Sequence, residues 1–218
     1  MRPIDEPLVS TASKDEVVRA IESIDLGAPW IEVAPKLRLA LPRRRPLPID
    51  PAELPVRDFP PGIRAVLGLD IGPAMLFVSH QQLAGWDVPA ERAFEQALDN
   101  VRARVAARRQ FALVHERIAD VPTLAFQSRE GWASSLLLLP DELVRVVGDR
   151  NCLVLAPMRD LVLGLPLDAE REFAQYLLDE FAAADMNALD LPPFAMVDGH
   201  LRPAMGVPRS LRRSRRLD

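Results

Sequence analysis

Nine of the 21 prolines in this 218-residue chain fall between residues 28 and 62. Proline fixes φ and carries no N–H, so it breaks helices and is excluded from central strands. Pro42, Pro46, Pro48, Pro51 and Pro55 follow one another closely, with Arg43, Arg44 and Arg45 between the first two. Such density predicts an extended arm or linker over 28–62, lying on the surface of a body that starts near Ile63. A polyproline ligand for an aromatic groove is the alternative to a plain linker.

The rest of the composition narrows the class. The length suits one domain with appendages. About half the residues (49%) are apolar and 27% are charged, the balance of an ordinary globular chain. A net charge of −4 argues against a general nucleic-acid binder. The single cysteine, Cys152, excludes a disulfide framework and a cysteine-rich metal site. No apolar run approaches the ~18–20 residues of a membrane span. Met1 to Ser10 is polar and proline-broken, unlike a signal peptide. The expectation is a soluble, cytoplasmic protein. The 25 arginines stand against two lysines, Lys14 and Lys36. With abundant alanine and proline this reads as coding bias, so arginine richness alone carries little.

Periodicity places the elements. Ser13 and Glu16 have capping-box spacing, and Val17, Val18, Ile21 and Ile24 recur at helical period until Gly27. Arg64–Asp70 and Ala74–Ser79 read as strands about a Gly72-Pro73 turn. Gln81–Trp86 suits a helical turn. Asp87 is the expected N-cap of a helix reaching Arg109, with Phe94, Leu98, Val101 and Val105 on one face. Phe111–His115 and Pro122–Gln127 suggest a hairpin, and Leu136–Leu139 a buried stretch. Pro140-Asp141-Glu142 opens a helix that Gly148 ends. Cys152–Ala156 and Leu161–Leu165 flank Pro157–Asp160 as a second hairpin. Asp168 is expected to cap a helix that buries Phe173, Leu177 and Phe181. Phe194–Val197 is a strand before the strong Asp198-Gly199 turn. Residues 202–218 hold six arginines and one aspartate, with too little apolar content to pack, and are expected to be disordered.

Few constellations carry chemistry. Val66–Gly72 resembles the first phosphate loop of the actin and sugar-kinase ATPases, with Asp70 as the metal carboxylate. Pro73 removes an amide that would face phosphate, and the remaining chain is too short for two clamping lobes, so strand–turn–strand is the better reading. His80, His115 and His200 show no ligand spacing, and no metal site or cofactor is expected. Cys152 opens an apolar strand and reads as a core residue rather than a nucleophile. Neither a G-x-S-x-G elbow, a Walker loop, a G-x-G-x-x-G nor an H-E-x-x-H occurs. Arg159-Asp160, at the expected hairpin tip, could grip a carboxylate or phosphate, against plain turn chemistry.

A familiar order emerges from several segments. Met75-Leu76-Phe77-Val78-Ser79 is followed by Leu83-Ala84-Gly85-Trp86, and then by a helix from Ala93 to Arg104 containing Ala97-Leu98-Asp99-Asn100-Val101. Later come Ala133-Ser134-Ser135-Leu136-Leu137-Leu138 and Leu153-Val154-Leu155-Ala156-Pro157-Met158-Arg159-Asp160. This pattern, over roughly 65–200, resembles the YtpQ-like bacterial proteins, which have a similar A-x-P-x-R-D element leading into a strand and a helix. That family is a domain of unknown function, so the resemblance implies no reaction and no catalytic residue. The proline-rich arm and arginine tail look like additions to it.

The sequence therefore predicts a single α+β domain over 63–200, with an antiparallel or mixed sheet covered by about three helices. Residues 1–27 form a helical segment, 28–62 an arm, and 201–218 a basic tail. The leading functional expectation is a non-enzymatic binding or protein-interaction module with an unidentified protein partner. The first alternative is a small-molecule enzyme with a site near Asp70, His80, Arg159 and Asp160. The second is weak contact with nucleic acid or another anionic surface through Arg209, Arg212, Arg213, Arg215 and Arg216, which the acidic body opposes.

Overall fold

The computed structural model describes residues 14–204 apart from 23–24, 26, 45–48, 72–74, 129 and 185–187. Two antiparallel sheets share one α+β domain. In the smaller sheet β3 (Ile63–Asp70) is central. β1 (Leu37–Ala40) pairs along one side of it, with Leu39 opposite Leu67. β2 (Val56–Phe59) and β4 (Met75–Phe77) follow each other along the other side. The larger sheet has the order β10-β9-β7-β8-β6-β5. Its strands are β5 (Leu113–Ile118), β6 (Val121–Gln127), β7 (Cys152–Met158), β8 (Leu161–Pro166), β9 (Phe194–Val197) and β10 (His200–Pro203).

Strand alternation divides the core. Cys152, Val154 and Ala156 of β7 join one apolar cluster with Phe126, Val162 and Met196. Leu153 and Leu155 join a second cluster with Leu163, Leu165 and Ala195. The first cluster is filled by α4 (Ala90–Ala107), the buried 3-10 stretch Ala133–Leu138, α5 (Pro140–Val147) and the small sheet. The second is covered by α6 (Arg171–Ala184). Of the shorter helices, α1 spans Lys14–Glu22, α2 Trp30–Val33 and α3 His80–Gly85. Ser79 caps α3 with a reciprocal box: its Oγ accepts from Gln82 N at 3.2 Å, and Gln82 Oε1 accepts from Ser79 N at 2.7 Å.

The proline-rich segment is the main correction. Residues 37–41 are not a surface arm. Leu37 and Leu39 are 0% exposed, and β1 lies against both β3 and α4. The prolines punctuate strands instead of interrupting them. Pro35 lies in a 3-10 turn before β1, and Pro42 follows β1. Pro51 opens another such turn under the Asp50 cap, Pro55 precedes β2, and Pro60-Pro61, joined by a cis bond, follows it. Four-residue strands fit between such stops. Two polar contacts lock the segment in place. Asn100 of α4 donates from Nδ2 to the Ala34 and Leu37 carbonyls at 2.8 and 3.0 Å. Asp190 N donates to Pro42 O at 2.8 Å. The domain thus begins well before residue 63. At its other end β10 carries it to Pro203, beyond the expected boundary at 200.

Smaller differences have local causes. Asp87 is not the cap of α4; it takes a left-handed φ of 54° between α3 and α4, and Pro89 is the N-cap. Asp168 does not cap α6, which begins at Arg171. The buried stripe of α6 is Ala174, Leu177 and Leu178, so Phe173 and Phe181 are half-buried at its margins. The β5–β6 hairpin turns at Ala119 and Asp120, both at positive φ, although Ala-Asp is not a left-handed turn signature. Asp198-Gly199 adopts the expected left-handed turn, with φ of 52° and 81°. Ser13, the Gly72-Pro73 turn and the tail beyond residue 204 lie outside the described residues. Among the described residues no helix is long and apolar enough to cross a membrane.

Two substitutions separate a core from an arm. Leu39→Ala should cost about 2–5 kcal/mol in urea unfolding, as for a buried leucine; a loss under ~1 kcal/mol would return the segment to the surface. Phe181→Ala should cost less than the ~3–5 kcal/mol of a fully buried phenylalanine, because its ring is partly solvated in the native state.

Candidate functional site

The four site residues expected from the sequence divide between the two sheets. Asp70 ends β3 and pairs with Arg38 at 3.0 Å, while Arg38 also donates to the Pro35 and Leu37 carbonyls. Arg38 is 5% exposed, so this pair anchors the start of β1. His80 is the exposed first residue of α3, directly after the Ser79 cap.

Arg159 and Asp160 form the two-residue tip of the β7–β8 hairpin. Register shifts by one residue at Ala156-Pro157, where proline has no N–H to give the ladder. Asp160 turns back onto the 128–133 loop. Its Oδ1 accepts from Gly131 N at 2.9 Å and from the Ser128 hydroxyl. Ser128 Oγ in turn accepts from Trp132 N and Ala133 N at 3.1 and 3.2 Å. The Arg159 guanidinium lies on Gly131, where a Cβ would stand 2.6 Å from Nε. Gly131 also has a φ of 71°, the backbone constraint that favours glycine there. Asp160 is thus engaged in holding a loop, and the geometry favours a structural staple at this tip.

A cleft lies elsewhere, at one end of the six-stranded sheet. It has a volume of about 570 Å³ and is bounded by β5, β6, β8, β7 and the β9–β10 turn. Antiparallel register brings the parts together: Glu116 lies opposite Thr123, Leu124 opposite Gly164, and Cys152 opposite both Pro166 and Met196. Glu116, Asp149, Asp168 and Asp198 line it together with His115, and none of the lining residues is lysine or arginine. Among the described residues, the carboxylates of Glu116, Asp168 and Asp198 have no hydrogen-bond or ion-pair partner. Asp149 accepts from Asn151 N at 2.9 Å. Arg150 stands beside the rim, bonded to the Asp198 carbonyl at 3.2 Å.

Cys152 lies in the cleft wall, nearly buried. Burial, with Asp149 adding repulsion, pushes its thiol up to about 12. A group so shifted stays protonated at neutral pH and is a poor nucleophile. No three or more His, Cys, Asp or Glu side chains among the described residues converge well enough to hold a metal ion. The cleft can offer negative charge and hydrogen-bond acceptors to a cationic group, over a partly apolar wall of Val147, Leu124 and Pro166.

The sequence reading missed this site. Asp149, Asp168 and Asp198 sit in or beside turns and Glu116 is exposed on the edge strand β5, and in either place a solvated carboxylate is unremarkable. Only the strand order places them at one end of one sheet.

Two outcomes follow. Ser128→Ala removes one donor to Asp160 and one acceptor for two buried amides, and should lower stability by about 1–3 kcal/mol in chemical denaturation. Because the folded Cys152 thiol titrates far above its unfolded value of 9.0, its contribution is complete below pH 9. It is lost as the pH rises from about 9 towards about 12. Cys152→Ala should flatten this alkaline loss, measured by thermal unfolding across that range.

Compared with protein-family models, curated proteins and solved structures, the chain matches none.

Proposed function

We propose that the protein is a non-enzymatic binding module whose acidic cleft receives a basic group, most simply an arginine- or lysine-bearing segment of a polypeptide. The observation that carries this reading is the charge pattern of the cleft. Arginine is spread through the chain, yet the cleft lining has four acids and no lysine or arginine. Carboxylates lining one cleft with no ion-pair partner among the described residues can accept an ammonium or guanidinium. The raised thiol of Cys152, a poor nucleophile, supports binding over thiol catalysis in the cleft.

The likeness of 65–200 to the YtpQ-like bacterial proteins belongs to the same proposal, as does a bacterial, cytoplasmic setting. The A-x-P-x-R-D likeness falls on the bulged β7–β8 hairpin and its staple, which supports a structural role for that element.

Titration of the full chain with hexa-arginine, followed by calorimetry, tests the reading. Binding should weaken steeply with salt, as the screening length falls from ~10 Å at 0.1 M to ~3 Å at 1 M. The double variant Asp168→Asn, Asp198→Asn should weaken it by about 0.4–2 kcal/mol, the sum of two exposed ion pairs. Equal affinity for hexa-glutamate, or no effect of the double variant, would sink the proposal.

A further inference from the structure

We infer that the half-exposed tryptophans Trp30 of α2 and Trp86 at the end of α3 form a docking surface for an extended, proline-rich polypeptide segment that carries a basic residue. The surface is separate from the cleft, whose lining includes none of Trp30, Ile31, Trp86 and Asp87.

The two rings lie 6.1 Å apart, centroid to centroid, and are tilted by 49°. Part of each packs against the first core cluster, as do Ala28 and Val88, and the remainder is open to solvent. Ile31, next to Trp30, is 77% exposed, the highest value among the exposed large apolar side chains of the described residues. Neither Trp30 nor Trp86 has a hydrogen-bond partner for its indole N–H among the described residues. A tryptophan withdrawn from water usually finds such a partner, so this surface combines apolar area with two unused donors. The elements beneath it are anchored independently. α2 runs into the 3-10 turn Ala34–Lys36, whose Ala34 carbonyl accepts from Asn100 at 2.8 Å. α3 is held by its Ser79–Gln82 box, and Val88 N donates to Leu83 O at 3.1 Å. Little freedom is left to lose on binding.

These properties select the occupant. A polyproline II segment makes no internal hydrogen bonds, so its carbonyls are free to accept from indole N–H groups. One turn of it rises about 9 Å, so both rings fall within a single turn. It is extended before it binds, which keeps the ordering cost low. The nearest charges add a second requirement. Glu32 and Asp87, each within two residues of a tryptophan, are acidic, exposed and without an ion-pair partner among the described residues. The nearest lysine and arginine along the chain, Lys36 and Arg92, are each six residues away. A basic side chain on the segment complements the two acids and can also lie over an indole face.

The test titrates the full chain into a fluorescein-labelled peptide of two arginines followed by eight prolines and reads anisotropy at low ionic strength. A control peptide carries the same arginines before four Gly-Ser repeats. The proline peptide should bind at least about tenfold more tightly than the control. Trp86→Phe keeps a ring and removes one donor, and should weaken binding about two- to tenfold, the net loss of one hydrogen bond. Ile31→Ser should weaken it about tenfold, as for burying roughly half an isoleucine side chain, and should leave thermal unfolding unchanged because the residue is so exposed. Asp87→Asn, which tolerates the φ of 54° there, should weaken it about two- to fivefold, the loss of one exposed ion pair. Asp168→Asn together with Asp198→Asn should leave it unchanged, which separates this surface from the cleft. Equal binding of the two peptides, no effect of Trp86→Phe and Ile31→Ser, or loss of binding with the two cleft aspartates would each overturn the proposal. So would a dimer that Ile31→Ser dissociates and the proline peptide does not, since the surface would then belong to a second copy of the chain.

Discussion

β7 is buried at all seven of its positions, and the rest of the molecule is arranged to make that possible. A strand whose side chains alternate between two faces needs apolar cover on both. On one face the cover is α6, a single helix presenting Ala174, Leu177 and Leu178. On the other it is α4, α5, the 133–139 stretch and, through them, the small sheet. The second layer is too broad for α4 alone. Leu37, Leu39 and Leu41 from the proline-rich segment join the same cluster, and so that segment belongs to the fold.

Buried polar groups then fix how the layers meet. Asn100 satisfies the carbonyls at the entrance to β1, and Arg38 pairs with Asp70 on the neighbouring strand. Ser128 and Asp160 bind the hairpin tip to the loop that feeds the 3-10 stretch. Each group would be costly to bury alone, and each finds its partner across a junction between elements. At Asp70 and Asp160, charges that could have marked a reaction centre instead hold strands and loops in register.

The opposite end of the large sheet is built differently. Strand β5 carries Glu116 there and the turns carry Asp149, Asp168 and Asp198, and the carboxylates of Glu116, Asp168 and Asp198 have no partner among the described residues. Where charge in the interior is compensated, charge at this rim is left available. The proposed binding role of the cleft rests on that contrast.

Much of the local structure was legible in the residues. Gly148 ends α5 with a left-handed φ of 76°, Asp198-Gly199 turns a hairpin, and the alternation in 152–165 marks a buried strand pair. Each of these depends on neighbours within a few positions, where steric rules act directly on residue type. The proline-rich segment was misread because proline density describes what the backbone cannot donate. It does not say that Leu37–Ala40 would find an open side of β3 some 30 residues later in the chain. The half-burial of Phe173 and Phe181 likewise depends on how α6 is rotated against β7, which helical period leaves open. The acidic cleft is the extreme case. Its acids come from three separate turns and one edge strand, and nothing local distinguishes them from solvated surface acids. The sequence by itself determined the α+β class, most element positions and the turn chemistry, because those are short-range properties. Tertiary structure alone decided which strands became neighbours and hence which charges were neutralised and which were gathered unpaired, because electrostatic pairing depends on distance in space rather than along the chain.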